Sequence, residues 1–155
     1  MTQSSRPLGR ALVAFVALPG VVAFLVPLVV ALAWKHVPPR NAAGWLPIGV
    51  GVVVLLWCVR EFHVAGRGTL APWSPPQAMV TSGPYRFTRN PMYVAVALIL
   101  FGWGQLFGLT WLLAYALIVV AAFYLRVVLS EEPWLARTFP DQWPAYRQRV
   151  PRWLL

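Results

Sequence analysis

Glu131 and Glu132 follow directly on an apolar run, at the point where a chain would leave a membrane. Carboxylates at such a boundary are costly unless a cation or a hydrogen-bond donor meets them. Two readings are open. The pair is either a solvated helix end matched by Arg126 or Arg137, or a site for a ligand bearing ammonium or hydroxyl groups. Neighbouring helical residues point about 100° apart, so the two carboxylates need not touch the same atom.

A second group of candidates lies in the run Gly83-Pro84-Tyr85-Arg86-Phe87-Thr88-Arg89-Asn90-Pro91-Met92-Tyr93. Pro91 suits the first position of a helix, whose free backbone N–H groups, together with Arg86 and Arg89, could hold a carboxylate or phosphate. The same residues also suit a set of interfacial anchors, with Tyr85 and Tyr93 in an aromatic belt and the arginines fixing topology. Gly66-Arg67-Gly68-Thr69 would let backbone approach a ligand closely, but it lacks the preceding strand and the spacing of a dinucleotide fingerprint. His63, just before it, could serve as a general base or as a structural side chain. The single cysteine, Cys58, lies in an apolar run and reads as a packed thiol. With one cysteine and two histidines, no metal site is expected.

The elements that must position these residues are apolar. Residues 11–34 form an uncharged run that would span about 36 Å as a helix, enough for a tilted crossing, with kinks expected at Pro19 and Pro27. It exceeds the apolar core of a signal peptide, so a retained helix is expected. Further apolar runs cover 44–59, 91–107 and 109–129, the last two forming a hairpin broken only around Gly108 and Thr110. Between them, 60–90 is punctuated by Gly and Pro and reads as a long functional loop. The tail, 130–155, mixes Trp134, Phe139, Trp143, Tyr146 and Trp153 with arginines and suits a membrane interface. Ala95, Ala97, Gly102 and Gly104 would let another helix pack closely.

The chain has 155 residues, 59% of them hydrophobic and 11% charged, with a net charge of +9. That charge does not mark a nucleic-acid binder, because the cations fall in short segments between runs too apolar for water. With four crossings, every Lys and Arg except Lys35 and Arg40 lies on one side, as do all four acids. The positive-inside rule then puts both termini and the 60–90 loop in the cytoplasm, in a bacterial inner membrane. The fold class expected is all-α: a single polytopic membrane domain of about four transmembrane helices with a cytoplasmic loop and an amphipathic tail.

Three pieces, in this order, resemble the isoprenylcysteine carboxyl methyltransferase and phospholipid methyltransferase superfamily of integral membrane enzymes. They are Gly66-Arg67-Gly68-Thr69-Leu70-Ala71-Pro72; Gly83 to Tyr93; and Glu131-Glu132 followed by Phe139, Trp143, Tyr146, Arg147 and Val150-Pro151-Arg152. The resemblance implies methyl transfer from S-adenosylmethionine, bound on the cytoplasmic side, to a lipid or lipid-like acceptor. It implies cofactor contacts from Gly66, Arg67, Gly68, Tyr85, Pro91, Tyr93, Glu131 and Glu132, and catalytic roles for Arg89, Asn90 and Tyr93. Asn90 stands where the carboxyl methyltransferase branch typically has His, and Asn-Pro-Met-Tyr looks more like the phospholipid branch. The acceptor stays open between an isoprenylcysteine-type carboxylate, a phospholipid amine and a small thiol.

A different class of function also fits the composition: a small non-catalytic membrane protein whose basic face binds anionic lipid or a partner membrane protein. It accounts for the charge but not for paired glutamates beside a Gly-Pro-rich loop. A transporter is less supported, since the apolar runs hold few polar groups beyond Gln105 and Thr110.

Overall fold

The computed structural model describes residues 16–33, 39–65 and 78–154, and these are helical with no strand among them. A wide π-type stretch, Val16–Leu25, runs into helix α1, Val26–Ala33. A short 3-10 turn, Ala42–Gly44, leads into α2, Trp45–Val64. A second 3-10 turn, Gly83–Arg86, precedes α3, Pro91–Phe107, and α4 follows at Thr110–Arg126. A π-type stretch, Val127–Glu131, joins α4 to α5, Glu132–Thr138, and the chain ends in α6, Trp143–Arg149.

Among the described residues, two helical segments are long and apolar enough to cross a membrane, Ala42–Val64 and Thr110–Thr138, and Gly20–Ala33 and Pro91–Phe107 are shorter and apolar. Their outer faces carry Leu46, Val53, Leu117 and Ile118, each more than three-fifths exposed. In water such surfaces would be unfavourable, whereas lipid tails cover them at no cost.

Helix α3 is the hub, packing on α2, α4 and the stretch before α1. Its contact with α2 is backbone on backbone. A Cβ on Gly44 would lie 2.6 Å from the carbonyl oxygen of Gly102, and one on Gly51 the same distance from that of Ala95. The small residues expected to admit a neighbouring helix therefore do so at Ala95 and Gly102, while Gly104 faces Leu113 of α4. Leu55, Val96, Ile99, Leu100, Ala116 and Val119 fill the core between α2, α3 and α4.

Three expectations change. Helix α2 continues to Val64 instead of stopping at Val59, because no helix breaker occurs between Arg60 and Val64 and the buried Glu61 finds partners in Arg60 and Ser82. The 60–90 segment is thus not a loop throughout; its central part, 66–77, lies outside the described residues. The fourth run does not stop at Leu129: the helix carries through Ser130 and both glutamates to Thr138, and the widened stretch before it accommodates Pro133, which has no N–H to give. In the first run, winding changes from π-type to α at Val26-Pro27, where a kink was expected.

The aromatic tail is the third change. Trp143 and Tyr146 of α6, with Val150 just after it, are buried against Met79 and Leu135 inside the protein, while Trp134 of the same tail stays exposed. The i, i+3, i+7 spacing of the three buried residues makes one apolar stripe, and that stripe docks on the residues before α3, with Tyr146 bonded to Tyr85 and Trp143 beside Arg89.

Candidate functional site

The turn before α3 is fixed from α2. Ser82 donates to Glu61 Oε2, and Gly83 adopts φ 58°, a conformation that glycine takes without strain. A Cβ there would lie 2.7 Å from Glu61 Cγ and 2.9 Å from Trp57 Nε1, so the turn closes directly on α2. Tyr85, from this turn, is buried with Cys58 and Val80, and its ring meets Phe62 edge to face. Burial pushes its phenol well above its ordinary range, with Cys58 and Tyr146 close by adding to the shift. Its carbonyl accepts a 2.8 Å hydrogen bond from the Tyr146 hydroxyl, which ties α6 to the turn.

The last residues of the chain fold back over the start of α3. The Arg89 amide donates to the Pro151 carbonyl at 2.9 Å. The Arg152 carbonyl accepts twice, from Thr88 Oγ1 at 2.9 Å and from Asn90 Nδ2 at 3.0 Å. Asn90 stands at the N-cap of α3, but its side chain makes no capping hydrogen bond and goes to this strap instead. Pro91 takes the first helical position, as its fixed φ and missing N–H favour.

The twin glutamates part company. Glu131 Oε1 accepts from the Tyr93 hydroxyl and from Arg126 Nε, the latter at 2.8 Å. Phe123 lies beside Tyr93, ring centroids 4.4 Å apart. Glu132 is gripped by the Arg152 fork, Nε to Oε1 at 2.8 Å and Nη2 to Oε2 at 2.7 Å. Bidentate pairs of this kind are the stronger class of charge-assisted contact, and the hydrogen bonds to Glu132 push the Arg152 guanidinium upward.

Arg89 Nη1 also lies 2.8 Å from Glu132 Oε1, close enough for an ion pair but out of line for a hydrogen bond. The Arg89 side chain is 10% exposed, and its Nε and Nη1 have no hydrogen-bond acceptor. Its guanidinium stands 5.4 Å from the centre of the Trp143 ring. Burial lowers its pKa; Glu132 opposes the shift, and Arg152 and Arg147 add to it. A guanidinium keeps its charge regardless. The result is a buried cation beside an aromatic ring, ion-paired to Glu132 through Nη1, with Nε free of any hydrogen-bond acceptor. Glu131, with its side chain 31% exposed, is the more accessible of the two carboxylates and can receive a donor or a cation.

The structure brings together Arg89, Asn90, Pro91, Tyr93, Glu131 and Glu132, with Tyr85 one layer beneath. Gly66, Arg67 and Gly68 lie outside the described residues. Sequence reasoning gave no place in the site to Thr88, Trp143, Tyr146 or Arg152, nor to Glu61, which anchors the turn; Arg126 it named as a partner for the glutamates, and Arg126 does pair with Glu131. Arg152 had a usable signal, its place after Val150-Pro151 in a motif already singled out. Glu61 had another: a carboxylate just past an apolar run must find partners.

The family model described as phospholipid methyltransferase matches residues 39–142. The chain is 31% identical over 108 residues to the cobalt-zinc-cadmium resistance protein CzcN of Cupriavidus metallidurans, a match covering 70% of this chain and 45% of that protein. It is likewise 31% identical over 108 residues to the nickel-cobalt-cadmium resistance protein NccN of Alcaligenes xylosoxydans xylosoxydans, covering 70% of this chain and 46% of that one. The match thus spans less than half the length of these curated relatives. No solved structure matches the chain.

Proposed function

The chain belongs to the phospholipid methyltransferase family, and from that premise we propose that it is a membrane enzyme transferring a methyl group from S-adenosylmethionine to a lipid or lipid-like acceptor. In this reading it is one domain with four crossings, both termini and the site at the cytoplasmic face of a bacterial inner membrane. The acceptor is an isoprenylcysteine-type carboxylate, a phospholipid amine or a small thiol.

One observation carries the reading: the start of α3, the twin glutamates and the C-terminal strap form a single cluster, with Arg89 Nε and Nη1 buried and without an acceptor. The Nε edge fits a carboxylate, while Nη1 stays beside Glu132. S-adenosylmethionine, when bound, supplies a methyl group on a positively charged sulfur. Arg89 binds the carboxylate of the cofactor or an anionic group of the acceptor. Glu131, held by Tyr93 and Arg126, receives an ammonium or ribose hydroxyl, and Glu132 sets the charge balance around Arg89. Trp143 and Phe123 offer aromatic faces, and the buried surround excludes water from the transfer. In an in-line displacement that removes charge from sulfur, alignment and dryness contribute more than proton transfer. A carboxylate or thiolate acceptor needs no base. An amine must first lose a proton, which makes His63, Glu131 or Glu132 the candidate base.

The test is a calorimetric titration of purified protein in detergent with S-adenosylmethionine. Saturable heat is expected, weakened when both glutamates are replaced by Gln. Folded protein that gives no heat at millimolar cofactor would overturn the reading. Membranes supplied with methyl-labelled cofactor then identify the acceptor by whether label enters lipid, protein or a volatile thioether.

A further inference from the structure

We infer that Arg152 is a positioning residue that keeps the anion receptor at Arg89 open. It does so by engaging both carboxylate oxygens of Glu132, so that Glu132 stays beside Nη1 and cannot swing round to the Nε edge of Arg89, the edge that a bound carboxylate requires. The inference rests on the reading of this site as the place of an S-adenosyl cofactor.

Two guanidinium groups share one carboxylate here. Of the two, Arg152 is the more exposed, at 32% of its side chain against 10% for Arg89. Desolvation penalises an unpaired cation most where it is most buried, so Glu132 alone would favour a full fork with Arg89. The structure has the opposite arrangement: the fork goes to Arg152, and Arg89 Nη1 is left near Oε1 but out of line.

Local anchoring explains why Arg152 does not yield. Its own carbonyl is fixed by Thr88 and Asn90, the preceding carbonyl by the Arg89 amide, and the following residue, Trp153, stacks on Tyr124. The strap therefore delivers the Arg152 guanidinium to Glu132 at a set position. Asn90, read from sequence as catalytic, acts on the site through this strap, since its amide holds the Arg152 backbone.

The experiment compares two non-reactive probes, S-adenosylhomocysteine and its decarboxylated analogue S-adenosyl-3-thiopropylamine, by calorimetry in detergent. They differ only in the carboxylate, so the ratio of their affinities reports what Arg89 contributes, whatever the glutamates do to the shared amine and ribose. The wild-type protein should prefer the carboxylate-bearing probe by roughly tenfold to a hundredfold. In Arg152→Gln the ratio should fall to within about threefold, with Glu132 now free to pair with Arg89. The anchoring of the strap is through the backbone of residue 152, so this variant retains it, and unchanged affinity for the decarboxylated probe verifies that the site is intact. In R152Q/E132Q the preference should return, because no carboxylate remains to turn inward.

A wild-type ratio near one, an undiminished ratio in R152Q, or no recovery in the double variant each overturns the inference while the cofactor reading stands. If neither probe binds the folded wild-type protein, the cofactor reading itself fails and takes the inference with it.

Discussion

The two ends of α3 are built on opposite terms. At the far end, Gly108 turns the chain at φ 63°, and the Leu106 carbonyl receives two amides, from Arg40 at 2.7 Å and from Asn41 at 3.3 Å. The stem of Arg40 also lies over Gly108, where it supplies the positive charge that a helix C-terminus favours. At the near end, strap and turn satisfy the backbone, yet a buried guanidinium keeps two donors without an acceptor. A helix end whose polar groups are paired from within the chain is scaffold. An end that holds a buried cation with donors not hydrogen-bonded is, in the function proposed above, where a ligand arrives from outside.

The sharpest way to break this contrast is Arg89→Gln. It should reduce affinity for S-adenosylhomocysteine by about a hundredfold, the upper range for a charge-assisted contact, with little change in melting temperature because Glu132 retains Arg152. Loss of folding without a selective loss of affinity would make Arg89 scaffold as well. At the other end, Gly108→Ala should destabilise by about 1–2 kcal/mol through the left-handed backbone, measured by denaturant titration, and leave probe affinity of the folded fraction unchanged.

Asn90→Ala removes one of the two donors to the Arg152 carbonyl and should cost about 1 kcal/mol. Hydrogen exchange at the Arg89 amide, which donates to Pro151, should quicken by roughly fivefold, the same energy expressed as a population of opened strap.

The smallest effect at neutral pH concerns Tyr146, whose phenol burial pushes up to about 12 from its usual value. A raised folded-state pKa contributes stability that is complete below the unfolded value, about 10, and is lost as pH rises toward 12. Thermal melts between pH 9 and 12 should show this loss in the wild type and a shallower one in Tyr146→Phe.

Helix α3 was legible to the residue, because Asn90-Pro91 marks its start and Gly108 its end. The other helix ends were not, since hydropathy reports where a chain leaves apolar surroundings and not where it stops winding; Arg60 to Val64 and Ser130 to Thr138 are polar yet helical. The twin glutamates announced themselves as costly groups in need of partners. Arg126, five positions from Glu131, could be read as a partner; Tyr93 and Arg152 could not, because they stand 38 and 20 positions away and only the packed fold brings them in. Trp143 and Tyr146 gave a clear helical stripe, but a stripe says nothing of whether lipid or protein will cover it. Arg89 was identified as a cation at a helix start; its two idle donors emerge only from packing.

The π-type stretch Val127–Glu131 has a geometric consequence of its own. One surplus residue in a helical turn makes everything downstream lag by about 100° relative to uninterrupted α winding. That offset works as a phase shifter between the membrane half of the helix and its emerging tip. Deleting Val128 would let the turn close as ordinary α-helix and leave each carboxylate aimed where it points now.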